Sequence, residues 1–126
     1  MSRCASVVIA ATSALLGACA TAAPVTPAEA VAPATEVRVG LTEWDIVTDG
    51  SELAAGPVEL TITNVGSTAH DLRAAIDGGT TAATPLLQRG ERQQLTFDAP
   101  AGATVELWCT VPGHDAQGMH TTLAVD

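Results

Sequence analysis

Four side chains in the second half of the chain have the types and spacing of a metal site. Cys109, His114 and Met119 share one short stretch, with four residues between each successive pair, and His70 lies upstream. One loop can therefore direct three side chains at a single point. A thiolate, two imidazoles and a weakly bound thioether are the ligands of blue-copper electron-transfer sites. The spacing predicts one mononuclear copper site, completed by His70 from a neighbouring strand.

Each of these residues also has a simpler explanation when it is taken alone. An isolated histidine after a strand is commonly a surface residue, while a lone methionine or cysteine commonly packs in the core. Zinc is the alternative metal, but zinc prefers harder or more numerous protein donors and has no use for a thioether. The four residue types together, in this order and spacing, favour copper.

The segments that must position these side chains read as β-strands. In residues 57–64, Val58, Leu60 and Ile62 alternate with polar residues, which is typical of a half-buried strand. Further strands are predicted at residues 36–41, 44–47, 70–76, 92–97, 104–109 and 120–125, with residues 77–90 irregular. Short strands at this spacing predict an all-β antiparallel sandwich without a helix of ordinary length.

In these residues the chain resembles the cupredoxin family of blue-copper proteins. The resemblance rests on residues 64–70, on the strand that ends in Trp108-Cys109 and on the loop 109–119, and it covers residues 36–126. The loop spacing is similar to that of the rusticyanin and sulfocyanin branches, whereas the plastocyanin branch has a shorter gap between the cysteine and the second histidine.

The family resemblance carries expectations about fold and function. It implies a cupredoxin-like Greek-key β sandwich with copper near one end. It also implies that His70, Cys109 and His114 are the equatorial ligands and Met119 the axial ligand. A protein of this kind carries single electrons and is not an enzyme. We expect the edge of His114 to be the electron port, inside an apolar patch formed by Met119 and residues 111, 112 and 116.

Asp71 is a departure from the family pattern. Many cupredoxins have an asparagine after the first histidine ligand, and that residue braces the ligand loop. We expect Asp71 to accept hydrogen bonds from the loop, with Thr110 as a donor, and its charge to favour Cu(II) and lower the reduction potential. The alternative is a solvated aspartate. Trp108 and His120 neighbour ligands along a strand and should therefore point away from the copper.

Composition and charge restrict the partners. The 126 residues include 14 acidic and 5 basic side chains, no lysine, and a formal net charge of −9. This charge excludes the basic surface of a nucleic-acid-binding protein. It favours a basic redox partner, such as a basic cytochrome or oxidase domain, although solubility alone would also explain it. We expect the protein to be a monomer.

The N-terminal residues read as an export signal and an anchor. Residues 1–18 carry one charge, Arg3, and an apolar run at 7–16, which is typical of a signal peptide. The sequence Leu16-Gly-Ala-Cys19 resembles a bacterial lipobox, and this resemblance implies lipidation of Cys19. Ordinary cleavage near Ala20 or Ala23 is the alternative. Residues 19–35, rich in alanine, threonine and proline, are predicted to be a disordered tether.

These segments predict an extracytoplasmic protein that is anchored to a membrane, in the periplasm or on the outer cell surface. Cys4 and Cys19 precede the domain at residues 36–126, so Cys109 has no disulfide partner within that domain and is free to bind a metal. The alternative function is a copper chaperone, buffer or sensor. That function is disfavoured because exchange sites are rich in methionine or histidine, and this chain has only Met1 and Met119.

Overall fold

The computed structural model describes residues 35–126, which form two β sheets. The predicted signal peptide at residues 1–18, the lipidation site Cys19 and the tether up to residue 34 lie outside the described residues. The first strand begins at Thr35, one residue before the predicted start of the domain. Among residues 35–126, no helix has the length and apolar character needed to cross a membrane.

Nine strands account for most of the described chain. In chain order they are β1 (Thr35–Thr42), β2 (Asp45–Thr48), β3 (Glu52–Leu53), β4 (Gly56–Asn64), β5 (Arg73–Ile76), β6 (Gly79–Ala83), β7 (Arg92–Ala99), β8 (Thr104–Trp108) and β9 (His120–Val125). One sheet has the order β2-β1-β4-β7 and the other β3-β9-β8-β5-β6. The prediction of an all-β sandwich is confirmed.

Both sheets are mixed, and in this respect the prediction of an antiparallel sandwich is wrong. β1 pairs in parallel with β4, and β3 pairs in parallel with β9, whereas the other pairs are antiparallel. Alternation along a strand shows which face is buried, but it does not identify the neighbouring strand or its direction. The parallel pairs join strands that are not consecutive in the chain, so no local turn signal marks them.

The core lies between the two sheets and follows the alternation of apolar residues. In β4, Val58, Leu60 and Ile62 are at most 1% exposed, while the residues between them are partly exposed. The other buried positions of the two sheets are aliphatic with one aromatic side chain: Val37, Val39, Leu41, Leu95, Phe97, Val105, Leu107, Leu123 and Val125. This rigid apolar interior holds the strand ends in fixed positions.

One strand lies in a stretch that was predicted to be irregular. β6 pairs with β5, with a register shift between Ala74 and Ala75, and it forms the edge of its sheet. Its sequence consists of glycine, threonine and alanine, so it has no apolar alternation that could have identified it. Pairing with β5 compensates for this weak local preference.

The strand ends around the predicted ligands meet at one end of the sandwich. β4 ends at Asn64, six residues before His70, and β8 ends immediately before Cys109. β9 begins immediately after Met119. The sheets therefore bring the segment containing His70 and the loop 109–119 to the same end.

Candidate metal centre

Two histidines and one cysteine of the described residues converge at this end of the sandwich. The Nδ1 atom of His114 lies 3.2 Å from Nδ1 of His70 and 3.6 Å from Sγ of Cys109. All three candidate ligand atoms lie within 4.8 Å of one another. His70 and Cys109 are completely buried, and His114 is 8% exposed. The structure therefore forms a compact, buried cluster of two nitrogens and one sulfur.

The chemistry and spacing of these atoms fit a single metal ion. Three donors at about 2.0–2.3 Å from one ion lie roughly 3.5–4 Å apart. The two separations at His114, 3.2 and 3.6 Å, are close to this value, and the third is at most 4.8 Å. A soft thiolate suits Cu(I), and imidazole suits Cu(II). A copper ion would accept and release one electron there. His70, Cys109 and His114 would hold it.

Burial shifts the pKa values of His114 and Cys109 in opposite directions. It lowers the pKa of His114 below the ordinary value, and the nearby His70 lowers this pKa further, so the imidazole is neutral with a lone pair free for a metal. Burial raises the pKa of the Cys109 thiol. A metal ion must therefore displace the thiol proton when it binds.

The loop 109–119 is closed by its own backbone. The Cys109 N–H donates to the carbonyl of Met119, and the Met119 N–H donates to the carbonyl of His114. Between these residues, Asp115–Gln117 form a single 3₁₀ turn. Gly118 has a φ of 117°, and a Cβ atom there would lie 3.3 Å from the Trp44 carbonyl oxygen, so glycine suits this position on both counts.

Met119 lies inside the protein, adjacent in the fold to the three-residue cluster. It has no exposed surface and belongs to the same buried core as Cys109. Its carbonyl is 3.1 Å from the Cys109 nitrogen, which ties the two ends of the loop together. The expectation that Met119 contributes to an apolar surface patch is wrong, because the side chain is fully covered. Its service as an axial ligand stays a prediction.

Asn64 holds the segment that delivers His70. Its buried side-chain amide donates to the carbonyls of Thr68 and Leu87, both at 2.8 Å, and its Oδ1 accepts from the Gly66 N–H at 2.9 Å. The backbone of His70 in turn exchanges two hydrogen bonds with that of Leu87. The His70 segment is thus fastened to the loop before β7 by a buried polar network.

Glu43, at the tip of the turn between β1 and β2, lies against this segment. Its Oε1 accepts hydrogen bonds from the Ser67 N–H at 2.8 Å and from the Thr68 N–H and hydroxyl at 2.7 and 2.9 Å. The same oxygen lies 3.1 Å from Nε2 of His70. The Thr68 backbone hydrogen bond is the main cause that lowers the pKa of Glu43 to about 2, so this carboxyl is ionised at neutral pH.

The next residue, Trp44, covers the second histidine. Its ring centroid lies 4.5 Å from that of His114, at an interplanar angle of 67°, and 6.5 Å from that of His70. Edge-to-face contacts at these distances are favourable between aromatic rings. The partly buried indole also packs against the core. It therefore separates part of the His114 ring from solvent.

Asp71 reaches the ligand loop through Thr110. Its Oδ1 accepts a hydrogen bond from the Thr110 N–H at 2.6 Å, and its Oδ2 accepts one from the Thr110 hydroxyl. Asp71 follows His70, and Thr110 follows Cys109. This pair of hydrogen bonds consequently joins the two segments that carry the candidate ligands, and its effect on a bound metal stays a prediction.

Replacing Asp71 with asparagine should raise the reduction potential of the copper-loaded protein. An asparagine oxygen can still accept from the Thr110 N–H, so the change removes mainly the negative charge that favours Cu(II). We expect the ratio of Cu(I) to Cu(II) affinity to rise up to about tenfold, which is about 59 mV for one electron. Redox titration measures the change, with exposed Asp98→Asn on β7 as the control. An unchanged or lowered potential would contradict it.

Trp108 and His120 lie outside the cluster. Trp108 is half-buried on β8, where the neighbouring Leu107 and Cys109 are buried, so it occupies the opposite face of the strand. His120 is exposed on β9, and its Nδ1 lies 3.3 Å from Oδ1 of Asp115. Both placements agree with the alternation of side chains along a strand.

Sequence reasoning did not assign roles to Glu43, Trp44 or Asn64. Glu43 and Trp44 precede His70 by more than twenty residues, and no spacing rule connects a turn between two strands to a later histidine. Asn64 stands in the segment on which the family resemblance rests, and it is a polar residue at an apolar position of the β4 alternation. That mismatch was the sequence signal for a structural role of Asn64, because a buried side-chain amide must find hydrogen-bond partners.

Comparison with known proteins gives matches only at the level of structure. No protein-family model matches the chain, and no curated protein matches it. Among solved structures, auracyanin A, described as a "blue" copper protein from the green thermophilic photosynthetic bacterium Chloroflexus aurantiacus, is 25% identical with a TM-score of 0.60. The match covers 75% of this chain and all of that one.

Two further structures have the same architecture. Auracyanin B is 26% identical with a TM-score of 0.61, over 75% of this chain and 91% of that one. Reduced rusticyanin has the same TM-score at 20% identity, over 75% of this chain and 81% of that one, and at this identity the likeness shows the fold alone. The fold and the cluster of candidate ligands are those of cupredoxins.

Proposed function

We propose that this chain, a cupredoxin by its fold and its candidate ligand cluster, carries single electrons between redox partners through one copper ion. The observation that carries the proposal is the convergence of His70, Cys109 and His114 in a buried cluster whose ligand atoms lie within 4.8 Å. Met119, buried beside Cys109, would be the axial ligand. Its thioether would bind weakly, as in other sites of this type.

The surroundings of the cluster suit an electron carrier. The ligands are held by strand ends and by a loop closed on itself, so little needs to rearrange when the charge on a bound copper changes. His114 is the one candidate histidine with exposed surface, and the neighbouring Pro112 and Ala116 are exposed. We therefore propose the His114 edge as the port, which a partner would cover in a small, transient interface.

Two other functions receive less support from the structure. Burial of Cys109 and His70 opposes the rapid metal exchange that a chaperone or sensor requires. Within residues 35–126, His70, Cys109 and His114 are the one group of three or more potential metal ligands that converge. This arrangement favours a carrier over an oxidase with several copper centres.

Copper reconstitution tests the proposal. We expect folded protein loaded with Cu(II) to show an intense thiolate-to-copper absorption band and an EPR spectrum with narrow copper hyperfine splitting. Zinc provides the control, since the zinc-loaded protein should have neither signal. Copper-loaded, folded protein that lacks the band would rule out the carrier.

We further propose that the carrier is held outside the cytoplasm by a lipid on Cys19. The support is the lipobox-like sequence that precedes this residue and the proline-containing stretch that follows it. In a bacterial host that processes lipoproteins, the wild-type chain should enter the membrane fraction and the Cys19→Ala variant should not. A wild-type protein recovered entirely in the soluble fraction would contradict the anchor.

The proposed partner is a redox protein with a basic surface. The formal net charge of −9 would steer such a partner towards the domain more than it would tighten the complex. Association should then slow as the salt concentration rises, because salt screens the attraction. An association rate that does not respond to salt would contradict this steering.

A further inference from the structure

The turn between β1 and β2 contacts both candidate histidine ligands. Thr42 pairs with Asp45, so Glu43 and Trp44 form the two-residue tip of this hairpin. Glu43 lies 3.1 Å from Nε2 of His70, and the Trp44 ring lies 4.5 Å from the ring of His114. This short turn is distant in sequence from every candidate ligand, yet it contacts both imidazoles. It meets His70 at Nε2, on the side opposite Nδ1, and it meets His114 at the face or edge of the ring.

From this arrangement we infer that the Glu43-Trp44 tip is a clamp that positions His70 and His114 for copper and lowers the reduction potential of the site. The inference rests on the proposed copper site. Neither residue would touch the metal; each would act through the imidazole that it contacts. The clamp adds a carboxylate that contacts the imidazole of His70 and an aromatic ring that covers the imidazole of His114.

The carboxylate half of the clamp determines which nitrogen of His70 faces the cluster. Nε2 lies between two acceptors, Oε1 of Glu43 at 3.1 Å and the Thr68 hydroxyl oxygen at 3.3 Å, so this nitrogen carries the proton. Nδ1 is then left with its lone pair directed at His114 Nδ1 and the cluster. A carboxylate that accepts from the far side of a ligating imidazole also makes that imidazole more basic and favours Cu(II).

Two glycines leave the space that the tip occupies. A Cβ atom on Gly66 would lie 2.6 Å from Oε1 of Glu43, and that oxygen is held in place by the Ser67, Thr68 and His70 donors. A Cβ atom on Gly118 would lie 3.3 Å from the Trp44 carbonyl oxygen. The tip is thus inserted between the segment that leads to His70 and the loop that carries His114.

Redox titration of Glu43→Gln tests the carboxylate. We expect a rise of about tenfold in the ratio of Cu(I) to Cu(II) affinity, which is about 59 mV for a one-electron couple. Glu52→Gln is the matched control, since exposed Glu52 pairs with Ala124 near the end of β9 and far from the ligands. A second variant, Gly66→Ala, keeps the charge but displaces the carboxylate, and it should shift the potential in the same direction. If Glu43→Gln and Gly66→Ala both have the reduction potential of Glu52→Gln, the proposed role of the clamp is overturned.

Copper release tests the aromatic half. We expect Trp44→Ala to speed the loss of copper to an added chelator at least tenfold, because the His114 ring becomes accessible. Trp44→Phe keeps a ring over His114 and should restore a release rate close to that of the wild type. Equal release rates in the wild type and in Trp44→Ala would overturn the covering role.

A measurement on metal-free protein separates the clamp from the function on which it rests. By NMR, the wild type should show a slowly exchanging proton on Nε2 of His70, and Glu43→Ala should lose that signal. If copper-loaded wild type has no blue site but the proton is present, the proposed function fails while the Glu43 contact stands. If the blue site forms and the proton is absent from the wild type, the function stands and the clamp fails.

Discussion

Cys109→Ser will abolish the intense visible band of the copper-loaded protein. The band requires a thiolate sulfur bonded to Cu(II), and Cys109 is the one cysteine among residues 35–126. Its Sγ lies 3.6 Å from the nearest imidazole nitrogen of the cluster. A hydroxyl is a hard, weakly acidic donor, so the variant should also lose affinity for Cu(I) more than for Cu(II). Optical and EPR spectra of the reconstituted variant measure both effects.

The same substitution at another cysteine provides the control. Cys19→Ser lies outside the described domain and should keep the full band at the same copper stoichiometry. The Cys109→Ser domain should still fold, because serine is close to cysteine in size and the substitution leaves no large cavity. A band that survives Cys109→Ser would show that the thiolate ligand is a different cysteine.

Asn64→Ala will cause the second large effect, a loss of stability. The substitution removes three hydrogen bonds of the Asn64 side chain, of which those to Leu87 and Gly66 are buried and the one to Thr68 is partly buried. The Leu87 carbonyl still accepts from the His70 N–H, and the Gly66 N–H still donates to the Leu41 carbonyl. At about 0.5–1.5 kcal/mol for each lost hydrogen bond, we expect a loss of about 2–4 kcal/mol in the free energy of unfolding. Urea denaturation of the metal-free protein measures it.

The exposed side-chain amide of Gln94 provides the control for Asn64→Ala. Gln94→Ala removes one hydrogen bond, to Glu59 on the solvent side of the sheet, and should change the free energy of unfolding by less than about 0.5 kcal/mol. Asn64→Ala should also reduce the yield of blue protein on copper loading, because the segment that carries His70 loses three of the hydrogen bonds that hold it. A stability loss below about 1 kcal/mol would contradict the assigned role of Asn64.

The candidate ligands could be predicted from the sequence because three of them are local. Cys109, His114 and Met119 lie within one loop, and their spacing limits where their side chains can meet. His70 was accessible to prediction because it follows a strand with clear alternation, β4. The Asp71–Thr110 contact could be anticipated for the same reason, since each residue directly follows a candidate ligand.

The surroundings of the ligands could not be predicted in this way. Glu43 and Trp44 reach the histidines because β1 pairs in parallel with β4, which places the end of β1 next to the start of the His70 segment. Leu41 lies opposite Asn64 in that register. Local sequence patterns give no information on such a pairing, so the partners of the two imidazoles became visible only in three dimensions.

The direction of β1 has a consequence for how an anchored domain would be oriented. β1 enters the sandwich at Thr35 and reaches the clamp after Thr42; at a rise of about 3.3 Å per residue, its two ends are about 23 Å apart. A membrane tether that joins at Thr35 would therefore hold the domain by the pole opposite the copper. The His114 edge would then be the end of the domain farthest from the attachment point, so the tether itself would leave it open to a partner.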